Sequence, residues 1–131
     1  MRDISYRAKR KDNGEWVYGV PLKEGYSQEV EMLWYEYGSL AYTERVQVLP
    51  ETVGQYVGLT DKNGKKIFEG DIVKNEYEKG QYQYFKIVYD TRVYCWKVEN
   101  KYGMLGFLYN VIGYLEVIGN IHDNPELLEV K

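Results

Sequence analysis

The chain has 131 residues and a formal net charge of −3 at neutral pH. This length fits one domain, or one barrel-sized domain with an attached lobe, and suffices for a stable core. The negative charge argues against dominant binding to a phosphate backbone, which requires clustered lysine and arginine. The single cysteine, Cys95, excludes an internal disulfide framework and indicates a reducing compartment.

The sequence offers no signal for a membrane or for export. No apolar run approaches the roughly 20 residues that a membrane-spanning helix needs. Residues 1–16 carry charges but lack the apolar segment of a signal peptide. We therefore expect a cytoplasmic protein with no membrane partner.

Tyrosine is unusually frequent. Fifteen tyrosines and three tryptophans stand beside only three phenylalanines. Tyrosine and tryptophan favour strands, and they also favour surfaces that meet partners, because each joins a polar tip to a large apolar body. Two interpretations follow: a β protein with half-exposed tyrosines, or an association surface.

The first predicted element is a β-hairpin. Residues 4–10 and 15–20 have the pattern of two strands, and Asn13-Gly14 between them is a tight-turn dipeptide. The second strand is expected to bury one face and to carry aromatic residues on the other. Gly19, Pro21 and Gly25 are expected to end the hairpin and begin a loop.

Two further strands are predicted at residues 30–37 and 42–49, the second with Val46 and Val48 on one face. Pro50 marks a boundary, because proline lacks a backbone donor and disfavours helix before it. We accordingly place an N-terminal β lobe at residues 1–50 and a second domain at residues 51–131.

The most strongly specified stretch is residues 55–74, QYVGLTDKNGKKIFEGDIVK. It predicts a strand, a tight turn, a strand, a corner and a third strand. In the turn, Asp61 and Asn63 are expected to cap their own backbone, and Gly64 to supply the positive φ that the turn requires.

The corner contains Glu69 and Asp71 on either side of Gly70. The two carboxylates could be read as a catalytic pair, but neither has an evident partner that would shift its pKa. A solvated turn capped by Asp71 is the favoured interpretation. Corners of this kind let a strand continue into the next wall of a small barrel.

Beyond a charged loop at residues 75–81, strands are predicted at residues 82–89 and 93–98, joined by a turn at residues 90–92. Both strands carry large side chains on both faces. A sheet that is apolar on both sides must be covered on both sides, by the same chain or by another copy. We therefore expect a homo-oligomer, with a candidate interface formed by Tyr82, Tyr84, Tyr94 and Trp96. The rival explanation is that the N-terminal sheet covers these side chains within one chain.

The C-terminal part predicts short elements. Residues 105–114 have approximately helical spacing of leucine and isoleucine, and residues 116–121 form a closing strand. Asn124-Pro125 begins one terminal helical turn. Together, the short strands predict a mainly β protein: an N-terminal β-hairpin lobe, then a small SH3-type barrel with short helical segments near the C-terminus.

The sequence contains no recognisable motif for catalysis, metal binding or phosphate binding. His122 is the single histidine, so no histidine cluster for zinc exists, and Cys95 alternates within an aromatic strand as a buried filler would. The Asp61 turn lacks the further ligands of a calcium loop, and no phosphate-binding loop precedes a helix. We expect no catalytic residue, no metal, no cofactor and no enzymatic activity.

A single-stranded nucleic-acid binder is the alternative. Small barrels bind single strands by stacking bases on aromatic side chains beside a basic groove. The four candidate interface residues could form that platform, with Lys79, Lys86, Arg92 and Lys97 around them and a second basic cluster at Arg7, Lys9, Arg10 and Lys11. The acidic total argues against it.

Three segments resemble the YopX family of bacteriophage and prophage proteins: YRAKRKDNGEWVYG, PETVGQYVGLTDKNGKKIFEGDIVK and EVIGNIHDNPELL. The resemblance implies a mostly β protein with an SH3-type barrel, carried by a phage or prophage in a bacterial host. It implies no activity. The expected role is protein binding, to a phage or host protein, or self-assembly. Asn13, Gly14, Asp61, Asn63, Gly64, Gly70 and Asp71 are interpreted as structural turn positions.

Overall fold

The computed structural model describes residues 5–22, 30–35, 43–103 and 105–129, and for residues 30–35, 43–44 and 105 it describes the backbone alone. Strands dominate the described residues, which confirms the expected mainly β class. The chain divides into two compact units, Met1–Tyr56 and Val57–Lys131. The domain boundary expected at residue 50 stays a prediction.

Unit 1 is an antiparallel sheet followed by a short 3₁₀ turn. Its strands are β1 (Tyr6–Lys9), β2 (Trp16–Leu22), β3 (Val30–Tyr35) and β4 (Thr43–Val48); the 3₁₀ turn Pro50–Thr52 precedes β5 (Gly54–Thr60), which begins in this unit. β1 pairs with β2 on one side and with the first residues of β5 on the other. Residues 38–41, between the predicted strands 30–37 and 42–49, lie outside the described residues.

The first hairpin turn forms as predicted. Gly14 adopts a φ of +73°, and the Asn13 side chain accepts a hydrogen bond of 2.9 Å from the Glu15 N–H. The Arg10 N–H donates to the Glu15 carbonyl at 2.8 Å and so closes the turn. The local signals of this turn therefore determined its geometry.

The prediction that Gly19 and Pro21 end the second strand is wrong. β2 continues to Leu22, with Gly19 paired to both Tyr6 and Trp34. Described pairing with β1 stops at Gly19, so Pro21 pairs with β3 alone. Proline is tolerated at such a position because one side of the strand needs no ladder donor there.

The core formed by the described residues of unit 1 has four buried members. Ala8, Val17, Val46 and Val48 are buried together, with Tyr6 and Val53 packed against them. The shared face of Val46 and Val48 is thus confirmed, and Tyr18 is exposed on the opposite face of β2 from Val17. Beyond β1, an isolated bridge joins Arg10 to Val48.

Unit 2 contains the rest of β5, β6 (Lys66–Phe68) and a second antiparallel sheet. The strands of that sheet are β7 (Asp71–Glu78), β8 (Gln81–Asp90), β9 (Cys95–Glu99), β10 (Leu105–Phe107) and β11 (Leu115–Asn120), in the order β10-β9-β8-β7-β11. A four-residue helix α1 (Leu108–Val111) and a 3₁₀ turn (Ile112–Tyr114) separate β10 from β11, and a last 3₁₀ turn spans Pro125–Glu129.

The second sheet is open. Its edge strands β10 and β11 do not pair with each other in the part of the chain that the structure describes. A closed SH3-type barrel at residues 51–131 is therefore not confirmed. One face of the sheet packs on the larger core, whose buried members are Ile67, Val73, Ile87, Val98, Leu108, Leu115 and Val117.

Two element predictions in unit 2 need correction. The charged loop expected at residues 75–81 is mostly strand, because β7 continues to Glu78 and the turn contains only Lys79-Gly80. The helix expected at residues 105–114 begins as β10, because residues 105–107 pair with β9 before the single turn of α1. In both places an available strand partner outweighed the local propensity.

We expect Gly64→Ala to lower the free energy of unfolding by about 1 kcal/mol or more, because an alanine side chain is strained at the φ of +84° found there. Chemical denaturation measures the change. Gly113→Ala is the matched control, since its new Cβ meets nothing within 4 Å and its φ is not positive. Equal stability of both variants and the wild type would contradict the prediction.

Candidate functional site

Asp61 is the most connected of the predicted turn residues. Its Oδ1 accepts hydrogen bonds from the N–H groups of Asn63 and Lys65, both at 2.9 Å. Its Oδ2 accepts the N–H of Val117 in β11, also at 2.9 Å. The self-capping turn forms as predicted, and the bond to β11 is an addition that sequence spacing could not indicate.

The charge state of Asp61 follows from these contacts. Burial disfavours the ionised carboxylate, but the N–H groups of Val117, Lys65 and Asn63 outweigh it and hold the pKa of Asp61 below its ordinary value. The carboxylate is therefore a charged structural cap in unit 2.

The Gly70 corner forms, but it is not solvated. Gly70 has a φ of +87°, and Asp71 is buried, with its Oδ2 accepting the N–H of Phe68 at 2.8 Å. The expectation of a solvated turn is wrong because β7 begins at Asp71 and carries its side chain inside. Asp71 thus caps the corner from within the fold.

The second sheet has a core face and an outer face. Pairing places Tyr84 opposite Lys74, Tyr82 opposite Glu76, and Lys86 opposite Glu99, and these side chains form the outer face. Charges alternate with the tyrosines: Lys74 lies 3.7 Å from Glu116, and Lys86 lies 3.6 Å from Glu99. This outer face therefore mixes aromatic and ionic side chains, and it also contains the buried Ile72, opposite Lys86.

The four predicted interface residues do not share one surface. Tyr82 and Tyr84 lie on the outer face near the start of β8. Trp96 packs against the core, with its ring 5.0 Å from that of Tyr89 in an edge-to-face contact. Tyr94 precedes β9 and lies in the turn that follows β8. The structure brings Tyr82 and Tyr84 together and separates them from the other two.

A groove lies beside Tyr82 and Tyr84. It has a volume of about 170 Å³ and is lined by Tyr82, Gln83, Tyr84, Asn100, Lys101, Tyr102 and Leu128. The Asn100 side chain holds the loop after β9 by accepting the Tyr102 N–H at 3.0 Å. Two lysines lie over rings at the groove, Lys74 at 4.7 Å from Tyr82 and Lys101 at 5.3 Å from Tyr102. Sequence spacing missed Tyr102 and Leu128, since both reach the groove only through the fold.

A second exposed feature is the turn between β8 and β9, residues 91–94, which we call the tip. The sequence predicted a shorter turn at residues 90–92 and placed Val93 and Tyr94 in the next strand, which is wrong. The Asp90 side chain, 6% exposed, accepts hydrogen bonds from the Arg92 Nε and Nη2, each at 3.0 Å, and from Lys97 Nζ at 2.9 Å. The Arg92 and Lys97 side chains hold the pKa of Asp90 far below its usual range.

Three of the predicted basic residues at the first hairpin make local contacts. Arg7 and Lys9 lie over the Trp16 ring, at 4.7 and 5.5 Å from its centre. Arg10 forms a two-pronged ion pair with Asp12, with both bonds at 3.0 Å. An aromatic platform surrounded by lysines, as the nucleic-acid alternative requires, is not assembled from the four predicted aromatic residues.

The part of the chain that the structure describes has neither a clustered set of metal ligands nor a membrane-spanning helix. No group of three or more histidine, cysteine, aspartate or glutamate side chains is placed there to hold a metal ion. None of the helices found there has the length and apolarity needed to cross a bilayer. Cys95 is half-buried.

Fold and surface together define a class: a mainly β protein with two antiparallel sheets among its described residues and an aromatic groove on the second sheet. The model of the YopX protein family matches residues 5–129, almost the entire chain. The chain belongs to the YopX family, as the three sequence segments indicated.

A solved structure supports the fold. The chain is similar to protein EF1440 from Enterococcus faecalis, with 24% sequence identity and a TM-score of 0.58. The similarity covers 98% of this chain and 99% of that chain. At this identity the likeness establishes the fold alone. No curated protein matches the chain.

We expect Asp61→Asn to lower the free energy of unfolding by about 1–3 kcal/mol, because an amide has one acceptor oxygen for the three N–H groups that the carboxylate binds. The pKa of Asp61 is lower in the folded than in the unfolded chain. Its contribution is therefore present above the unfolded pKa of about 4 and is lost as the pH falls through the folded pKa. The variant should accordingly lose less stability than the wild type over that acid range.

Urea denaturation at several pH values measures both effects. Asp12→Asn is the matched control, because Asp12 is an exposed turn residue paired with one arginine and such pairs contribute little. An Asp61→Asn variant as stable as the control variant at neutral pH would contradict the assignment of Asp61 as the central cap.

Proposed function

We propose that this member of the YopX family is a non-enzymatic binding module of a phage or prophage that acts in the cytoplasm of a bacterial host. Its partner is a protein, and a second copy of the chain is one such partner. The observation that carries the proposal is the groove, where Tyr82, Tyr84 and Tyr102 lie next to Leu128 on the surface of unit 2. Tyrosine-rich, partly apolar surfaces with scattered charges are typical of places where proteins meet.

The chemistry of the groove supports binding over catalysis. Its lining contains tyrosine, amide, lysine and leucine side chains, and none of the described lining residues is a carboxylate, histidine or cysteine that could serve as a general base or nucleophile. Lys74, at the edge of the groove, lies beside Glu116, which favours a structural role for both.

Self-association is tested by sedimentation equilibrium across a concentration series. We expect the wild type to associate and Tyr84→Glu to weaken the association at least tenfold, because the substitution places a charge in a groove that the partner would dehydrate. Tyr109→Glu, an identical change at a highly exposed tyrosine outside the groove, is the control. Trp96 is unsuitable for this test, since it packs against the core.

The outcomes separate two parts of the proposal. A wild type that is monomeric at every concentration contradicts self-association. An oligomer that is indifferent to Tyr84→Glu but sensitive to other changes contradicts the groove as its interface. Circular dichroism of both variants verifies that the substitutions leave the fold intact.

Nucleic-acid binding is expected to be weak at physiological salt. The net charge is −3, and ion pairs with Glu116, Glu99 and Asp90 engage lysines of the second sheet. Few phosphate contacts can then form at once. Fluorescence anisotropy with a labelled thymidine single strand across a salt series measures the affinity. A sub-micromolar dissociation constant at physiological salt would contradict the expectation and favour the single-strand binder.

A further inference from the structure

The tip has a backbone conformation that disfavours the residue it carries. Tyr94 has a φ of +53°, the one positive value at a non-glycine position among the described residues. Side chains are unfavourable there, and aromatic residues are not among the types that tolerate it. The Tyr94 side chain is 78% exposed and its neighbour Val93 is 47% exposed. The fold therefore holds an aromatic ring in solvent at a site where glycine would be easier.

Hydrogen bonds to Asp90 hold the base of the tip. Asp90, at its base, binds both the backbone N–H and the guanidinium of Arg92, and it also binds Lys97 in β9. The Arg92 side chain remains 75% exposed on the outside of this network. Val93 and Tyr94 are thus exposed beside one outward cation, on a turn whose base is held by hydrogen bonds, and a held base lowers the entropy cost of docking.

The groove has the complementary properties. Its volume of about 170 Å³ compares with the roughly 150 Å³ of a cavity that admits benzene, so one phenol ring fits. Tyrosine rings and Leu128 supply apolar walls. Leu128 belongs to the 3₁₀ turn Pro125–Glu129, on which Glu126 and Glu129 are exposed three residues apart and hence on one side. These two carboxylates offer a counter-charge to Arg92; Lys101, the one cation among the described lining residues, lies over the Tyr102 ring.

One molecule cannot place its own tip in its own groove. Tyr84 and Asp90 stand six positions apart on β8, which is about 20 Å at the rise of a strand, and the strand is paired on both sides. We propose that the groove receives the Val93–Tyr94 tip of a second copy of the chain. The inference rests on the groove of the proposed function and names its occupant. Two copies can exchange tips about a two-fold axis, or the contact can repeat head-to-tail into rings or filaments.

Complementation between two variants tests the proposal. Tyr94→Gly removes the ring and suits the local φ, so the variant keeps its fold and its groove but lacks a tip. Leu128→Lys replaces an apolar wall of the groove with a second cation in addition to Lys101, which opposes Arg92, and leaves the tip intact. We expect each variant alone to associate at least tenfold more weakly than the wild type by sedimentation velocity. An equimolar mixture should form a one-to-one pair of twice the monomer mass and no larger species.

The controls keep this test separate from that of the proposed function. Tyr114→Gly removes another exposed tyrosine outside both surfaces and should associate as the wild type does. Wild-type association that survives Tyr94→Gly, or a mixture no more associated than its components, overturns the tip-in-groove contact while self-association stands. A wild type that remains monomeric at every concentration overturns both the tip-in-groove contact and the proposed self-association.

Discussion

The hydrogen bonds of the Asp61 carboxylate are the interaction on which unit 2 depends. One oxygen closes the β5–β6 turn, and the other binds the N–H of Val117, 56 residues further along the chain. The Lys62 N–H donates to the Leu115 carbonyl beside it, at 3.0 Å. These bonds occupy backbone groups of β11, an edge strand whose unpaired groups would otherwise be open to another chain. They also fix β11 over the core, where Leu115 and Val117 are buried.

The sequence predicted the structure correctly at turns whose backbone conformation requires a particular residue type. Asn13-Gly14 and the Asp61 to Gly64 turn lie within four-residue windows that contain both the required glycine and the capping side chain, so no distant residue decides them. Residues whose structure depends on a partner were predicted poorly. Pro21 lies in β2 because β3 pairs with it, and the charged residues 75–78 extend β7 because β8 pairs with them. These strand partners cannot be predicted from a short window of sequence, because the pairing depends on the register between two strands.

Alternation along a strand identifies side chains that share a face, but it does not identify the face that meets the core. Tyr84 and Trp96 looked equivalent in sequence, since both belong to strands with large residues on both sides. In the structure Trp96 packs on the core and Tyr84 faces outward among lysines and glutamates. The difference arises from the register between β8 and β9, which pairs Trp96 with Tyr89. The groove was still less predictable, because Tyr102 and Leu128 come from a loop and a terminal turn.

The tip differs from the other turns in the residue type found at its positive φ. At Gly14, Gly64 and Gly70 the backbone requires a positive φ and the residue type satisfies it, so the constraint acts on the main chain. At Tyr94 the backbone has the same requirement and the residue type opposes it. Charged hydrogen bonds from Arg92 and Lys97 to Asp90 hold the base of the tip on either side of Tyr94 in the chain. A turn that satisfied the backbone alone would carry glycine or asparagine at this position. The backbone conformation therefore does not explain why a tyrosine occupies position 94. An exposed side chain kept at an unfavourable φ points to contact with another molecule.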